Sequence, residues 1–232
     1  MITFADKIIS FYTDIEFKVT LPRGISVMNP FRNDPDVMNT ASHFYKKYYN
    51  DNRERHIILG INPGRFGAGV TGIPFTDTIR LEKKCGLSLP GVESHETSSV
   101  FIYDMIDQYG GPQEFYGDHY ISAVSPLGFT STNPGGKEVN YNYYDSRELA
   151  DTLTGFILES LKIQLEFGIF RDTCFCLGSG KNYKFVSELN EKYNFFDKIV
   201  PLEHPRYIMQ YRLKKKQFYI DTYIEKLKSI SK

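Results

Sequence analysis

The chain has 232 residues, 28 Lys/Arg balanced by 28 Asp/Glu, 41% hydrophobic residues, 17 Tyr, 18 Phe and no Trp. That is the profile of a soluble globular protein with one substantial core, and no apolar run approaches the length of a membrane span. The N-terminal MITFADKIISFYTD carries early acids and no small-residue cleavage signal, so a cytoplasmic location is expected, nucleoid-associated if the source is bacterial. Cys85, Cys174 and Cys176 are too few for a four-cysteine cluster, lack the partners of a zinc site and read as core thiols.

In chain order, helices are predicted near 2–13 and 35–50, followed by a buried strand at 56–61 (HIILGI). The loop that leaves this strand, GINPGRFGAGVTGIPF, holds five glycines and two prolines in sixteen residues. Such a loop allows close backbone approach to a flat or charged ligand, and it carries Asn62, Phe66 and Phe75. A helix is predicted at 98–109, a second strand at 119–124 (HYISAV), and then an Asn-rich insertion at 130–145. The segment 146–168 opens on Ser146 as a cap and places Leu149, Leu153, Phe156, Ile157 and Leu161 on one helical stripe. Strands at 173–178 (TCFCLG) and 197–202 (DKIVPL) flank a helix at 181–193, and a last helix is predicted at 206–229.

The four strands are apolar on both faces, as strands covered on both sides are. Alternation with helices predicts a three-layer α/β/α sandwich around a four-stranded, mostly parallel sheet. Ligands in such sheets bind at the carboxyl ends of the strands. The tips there are Asn62-Pro63-Gly64, Ser125-Pro126-Leu127, Gly178-Ser179-Gly180-Lys181 and His204-Pro205-Arg206, and all four are expected to converge on one crevice.

Several familiar chemistries fail on their own spacing. The Gly178-x-Gly180 turn has Tyr183 where a dinucleotide fingerprint needs its third glycine, and there is no GxxxxGK[ST] or GxSxG. GSGK therefore reads as a strand-to-helix turn, with Ser179 and Lys181 available to a phosphate at the helix N-terminus. His43, His56, His95 and His119 read as structural or surface residues. His204 differs, because it follows a strand and opens a segment, 204–232, with eight Lys/Arg against two acids.

GINPGRFGAGVTGIPF after the first strand and His204-Pro205 after the last resemble the two motifs of the uracil-DNA glycosylase superfamily, closest to its single-strand-selective monofunctional branch. Ser125 to Phe129 (SPLGF) and the LGSGK turn fit in order, so the resemblance covers most of 56–210. It implies one domain over 1–232, with an N-terminal helical part (1–50), the motif-bearing core (56–210) and a basic C-terminal helix (206–229). It implies a monofunctional glycosylase that flips a base out of DNA and cleaves its glycosidic bond by hydrolysis. Asn62 orients water, His204 stabilises the departing base, and Phe75 stacks on it. Ile61, Gly64, Phe66, Ser125 and Asn142 complete the base site. Ser179, Lys181, Pro205, Arg206 and Tyr207 meet DNA, the last three as a wedge. No metal or organic cofactor and no membrane are implied, and a monomer is expected.

Two positions depart from the pattern or tune it. Gly64 stands where the aspartate-bearing branch of the family carries a tyrosine, which implies room for 5-substituted uracils such as 5-hydroxymethyluracil. Ala123 stands where relatives read the base with asparagine; readout then falls to backbone groups, to Ser122 or Ser125, or to Asn133, Asn140 or Asn142. Xanthine or hypoxanthine is a further candidate substrate. The alternatives are a non-catalytic DNA-binding module and an N-glycosidase of free nucleosides.

Overall fold

The computed structural model describes residues 2–230. In chain order it contains α1 (Phe4–Asp14), β1 (Ile25–Met28), α2 (Pro30–Asn33), α3 (Pro35–Tyr48), β2 (Arg55–Gly60), α4 (Ala68–Thr71), α5 (Thr78–Cys85) and α6 (Thr97–Tyr109). Then follow α7 (Pro112–Asp118), β3 (His119–Ala123), β4 (Gly128–Thr132), β5 (Glu138–Tyr141), α8 (Arg147–Leu165), β6 (Ile169–Leu177), α9 (Lys181–Tyr193), β7 (Lys198–Leu202), α10 (Pro205–Tyr211) and α11 (Lys216–Lys228).

The four expected strands form one parallel sheet in the order β3-β2-β6-β7, covered by helices, so the α/β/α architecture holds. Every residue of β2 and β3 is buried, which is why these strands read as unbroken apolar runs rather than alternating ones. The pairing runs past the strand ends. Val124 N–H donates to Gly60 O, Ser125 N–H to Ile61 O, and Gly178 N–H to Leu202 O, so the tips are tied in two pairs, β3 to β2 and β6 to β7, as they leave the sheet.

Two expectations are corrected. The segment 130–145, read as an Asn-rich insertion, lies mostly in a hairpin: β4 pairs with β5 on one side and with β1 on the other, in a three-stranded antiparallel sheet. Its strands are four or five residues long and only partly buried, too short and too polar to stand out in the sequence. The predicted helix at 206–229 is in fact two, α10 and α11, joined by a 3-10 turn at Leu213–Lys215. Ile208 and Ile220 are both buried, yet twelve residues of continuous helix would set them about 120° apart. Breaking the helix lets both faces pack on the protein.

The foot of β2 holds an unusual charge. Arg55 is fully buried, with its rim donating to both Asp51 carboxylate oxygens (2.9 and 3.0 Å) and to Tyr116 O (2.8 Å). Its guanidinium also lies over the rings of Phe4 (4.8 Å) and Tyr49 (5.0 Å). A bidentate carboxylate is what makes burial of this cation tolerable. Asp51→Ala leaves the guanidinium buried without its counter-ion. Urea unfolding should show a loss of about 3 kcal/mol, the lower end of the range for broken buried pairs, because Asp51 is one-third exposed.

Candidate active site

A cavity of about 600 Å³ opens at the carboxyl ends of the parallel strands, within the usual size of small-molecule sites. All four strand tips reach it: Asn62 and Gly64 after β2, Ala123 and Pro126 at the end of β3, Ser179 and Lys181 after β6, and His204 and Arg206 after β7.

Asn62 is held by the segment that leaves β5. Its Oδ1 accepts from Tyr143 N–H (3.0 Å), and its Nδ2 donates to Pro63 O (3.2 Å) and Tyr141 O (3.4 Å). These partners distinguish the two ends of the amide, so its carbonyl faces a donor and its NH₂ faces acceptors. The Tyr143 hydroxyl donates to Oδ1 of the buried Asn182 (2.7 Å), and Asn182 Nδ2 donates to Leu177 O (2.9 Å) at the end of β6. The second sheet also props the loop, with Arg65 N–H donating to Asn140 Oδ1 at 3.0 Å.

Phe75 has φ of 52°, a left-handed conformation unfavourable for a phenylalanine. Thr71 enforces it. Its hydroxyl donates to Thr76 O (2.6 Å) and accepts from Ile73 N–H (3.2 Å), closing the turn around Pro74. The ring then lies so close to Gly60 that a Cβ there would sit 2.9 Å from ring carbon Cε2, which explains the glycine at the strand end. The Phe75 and His204 ring centroids are 5.8 Å apart.

His204 caps α10. Its Nδ1 accepts from Arg206 N–H (3.1 Å), so in the neutral ring the proton sits on Nε2 and that N–H remains a donor. Burial, reinforced by the Arg206 cation, pushes the imidazole down to about 3. The ring is therefore neutral at physiological pH.

Ile61, Gly64, Asn142 and Tyr207 also line the cavity. Two expected base-site residues do not. Phe66 is 51% exposed, turned out of the loop beneath the Arg65 guanidinium (5.0 Å). Ser125 is fully buried and its hydroxyl donates to Leu127 O (2.9 Å). Pro205 is buried at the first turn of α10, where a proline suits a helix start, and so presents no wedge. Of the proposed base-readers, Ser122 lines the cavity but spends its hydroxyl on Gln164, Asn133 turns the β4–β5 hairpin, and Asn140 is engaged with Arg65.

Sequence reasoning missed Glu96, Ser98, Tyr144 and Tyr211, all at the cavity. Glu96 caps the start of α6 by position; its place at the head of a predicted helix was the one available signal, and nothing linked it to a loop thirty residues earlier. Burial pushes its carboxyl up to about 7, against the opposing pull of Arg206 and with help from Asp77. A carboxyl raised in the folded state contributes stability below its unfolded value, and that contribution is lost as pH rises toward 7. Glu96→Gln removes the ionisation. Its melting temperature relative to the wild type should be higher at pH 8 than at pH 5, and an equal difference at both would contradict the assignment.

The family model for the uracil DNA glycosylase superfamily matches residues 46–228. Among solved structures, the crystal structure of wild-type SMUG2 of Pedobacter heparinus is 55% identical, covers 100% of this chain and 99% of its own, and superposes with a TM-score of 0.97. No curated protein matches the chain. With that match over most of its length, and a strand-tip cavity bearing both motifs, the chain belongs to the uracil DNA glycosylase superfamily and is a DNA glycosylase, a hydrolase of N-glycosidic bonds.

Proposed function

We propose that the protein excises uracil, or a related deaminated or oxidised base, from DNA after extruding it into this cavity. The observation that carries the reading is the tautomer of His204: with Nδ1 engaged by Arg206 N–H, the free Nε2–H belongs to a neutral donor facing a site that also holds Asn62 and Phe75.

Cleavage of the glycosidic bond leaves positive charge at the sugar and negative charge on the base. Uracil departs as a delocalised anion, so a hydrogen bond to the carbonyl oxygen that gains charge lowers the barrier without full proton transfer. His204 Nε2–H supplies it. Phe75 offers the face on which the base stacks. Asn62 cannot take a proton, but its Oδ1 keeps a lone pair beyond the one used by Tyr143 N–H and can orient a water toward the sugar. The Tyr141 and Pro63 carbonyls beside its Nδ2 would repel a carboxylate at this position, which supports an amide here and a mechanism without a strong base.

DNA would cross the mouth, where Arg206, Tyr207 and Tyr211 border the cavity. Arg212, Lys214 and Lys215 continue this surface and are exposed, whereas Lys216 is paired with Asp104. The partner is a DNA strand carrying a damaged base; the cytoplasm or nucleoid is the compartment that suits it.

The direct test is single-turnover release of uracil from a labelled oligonucleotide, with alkali to cleave the abasic product. Loss of one donor to developing charge should slow His204→Ala by about 10²–10³. Asn62→Ala should fall by about 10²–10⁴ with DNA affinity retained. Unchanged rates in both would remove the mechanism, and no excision by the wild type would favour a DNA-binding module. For the surface, Lys214→Ala with Lys215→Ala should weaken binding to any DNA sequence and lower the slope of log affinity against log salt by about 2.

A further inference from the structure

The cavity takes in two residues from the part of the chain that precedes the family match at 46–228: Tyr12 on α1 and Phe31 on α2. The Tyr12 ring is held by stacking on Phe31 (centroids 4.4 Å apart) and on Tyr45 (6.1 Å), and the residue is 4% exposed. Its hydroxyl lies among those of Ser122, Tyr120 and Tyr45. Ser122 directly precedes Ala123, so this hydroxyl stands beside the position that offers a base no polar atom.

The protons of the three neighbours are already committed. Ser122 Oγ and Tyr120 Oη both donate to Gln164 Oε1, the second at 3.3 Å, and Tyr45 Oη donates to Gly72 O at 3.4 Å. The Gln164 amide is fixed in this orientation, because its Nε2 donates to Ser160 O (3.3 Å). A hydroxyl has one hydrogen and two lone pairs. None of the three neighbours can therefore donate to Tyr12, and the hydrogen left for their lone pairs is its own. Burial pushes the Tyr12 hydroxyl above its ordinary value, so that hydrogen stays in place at neutral pH. The network thus draws the Tyr12 O–H inward and leaves its oxygen with free lone pairs. Side-chain atoms sealed off without a partner include Ser98 Oγ but not the Tyr12 oxygen, which belongs to the cavity wall.

We propose that Tyr12 reads the extruded base, its oxygen accepting from the ring N–H that deamination creates. The proposal rests on the excision reading above and supplies it with a means of rejecting cytosine. With His204 on the carbonyl beside the glycosidic bond, the next ring position of a pyrimidine is N3. Uracil carries a hydrogen there, whereas cytosine presents a lone pair that would face those of Tyr12. The same contrast separates N1 of hypoxanthine from N1 of adenine. Thymine and guanine carry the N–H as well and are not sorted by this contact. Gln164 is a positioning residue: fully buried, it acts on the base only by setting the direction of the hydroxyls around Tyr12.

The test measures affinity apart from cleavage, on single-stranded oligonucleotides carrying one 2′-fluoro-2′-deoxyuridine or one 2′-fluoro-2′-deoxycytidine. The fluorine disfavours the positive charge at the sugar that cleavage requires. The wild type should bind the uracil strand about tenfold more tightly, the worth of one hydrogen bond. Tyr12→Phe keeps the ring and should bring the two affinities within about twofold. Gln164→Leu frees Ser122 and Tyr120 to donate to Tyr12, turns its O–H toward the cavity, and should narrow the ratio in the same way. A purely structural loss would weaken both strands equally and leave the ratio in place. Equal affinities in the wild type, or a folded Tyr12→Phe protein that keeps the wild-type ratio, would overturn the role of Tyr12 while leaving uracil excision intact. If Tyr12→Phe does not fold, the ratio in Gln164→Leu decides. Failure of the wild type to release uracil would instead overturn the excision reading, and this role with it.

Discussion

One hydrogen-bonded relay organises the carboxyl end of the sheet. Asn62 accepts from Tyr143 N–H, the Tyr143 hydroxyl donates to Asn182, and Asn182 donates to Leu177 O at the end of β6. Three segments far apart in the chain are thereby held in one arrangement: the loop after β2, the exit from β5 and the start of α9. Tyr143 is fully buried and Asn182 nearly so, so each bond lies in a medium where leaving it unmade is costly. The relay makes Asn62 a placed group rather than a loop residue free to turn.

The second sheet acquires its purpose from this arrangement. A glycine-rich loop would otherwise sample many conformations, at an entropic cost to be met when a substrate binds. Here β5 and its exit hold the loop at Asn62 and Arg65, while Thr71 clamps the strained turn that presents Phe75. The glycines allow close approach and the neighbouring elements remove the freedom. This is how a site assembled from loops is preorganised.

A similar economy governs His204. The same imidazole caps α10 through Nδ1 and, by doing so, commits its proton to Nε2. Helix start and donor orientation are one interaction. Glu96, which lines the same cavity, is a group whose ionisation is set by burial and by opposing neighbours rather than by a single partner.

The four central strands were legible in the sequence because their burial on both faces leaves unbroken apolar runs, and α8 and α9 because capping and periodicity are local. Asn62, Phe75 and His204 stood out because strand-tip position, glycine density and motif order are properties of the chain itself. What lay beyond it were matters of distance in space. Phe66 and Ser125 sit in the right stretches but turn away from the cavity, a choice made by packing around them. The β4–β5 hairpin is polar and short, and its role shows only when its backbone reaches Asn62. The break between α10 and α11 depends on where two buried isoleucines must land. Glu96 is thirty-four positions from Asn62, and no local pattern ties it to Gly64. Local order follows from residue type and spacing; which side chains face one cavity, and in which protonation state, follows only from long-range packing and the desolvation it imposes.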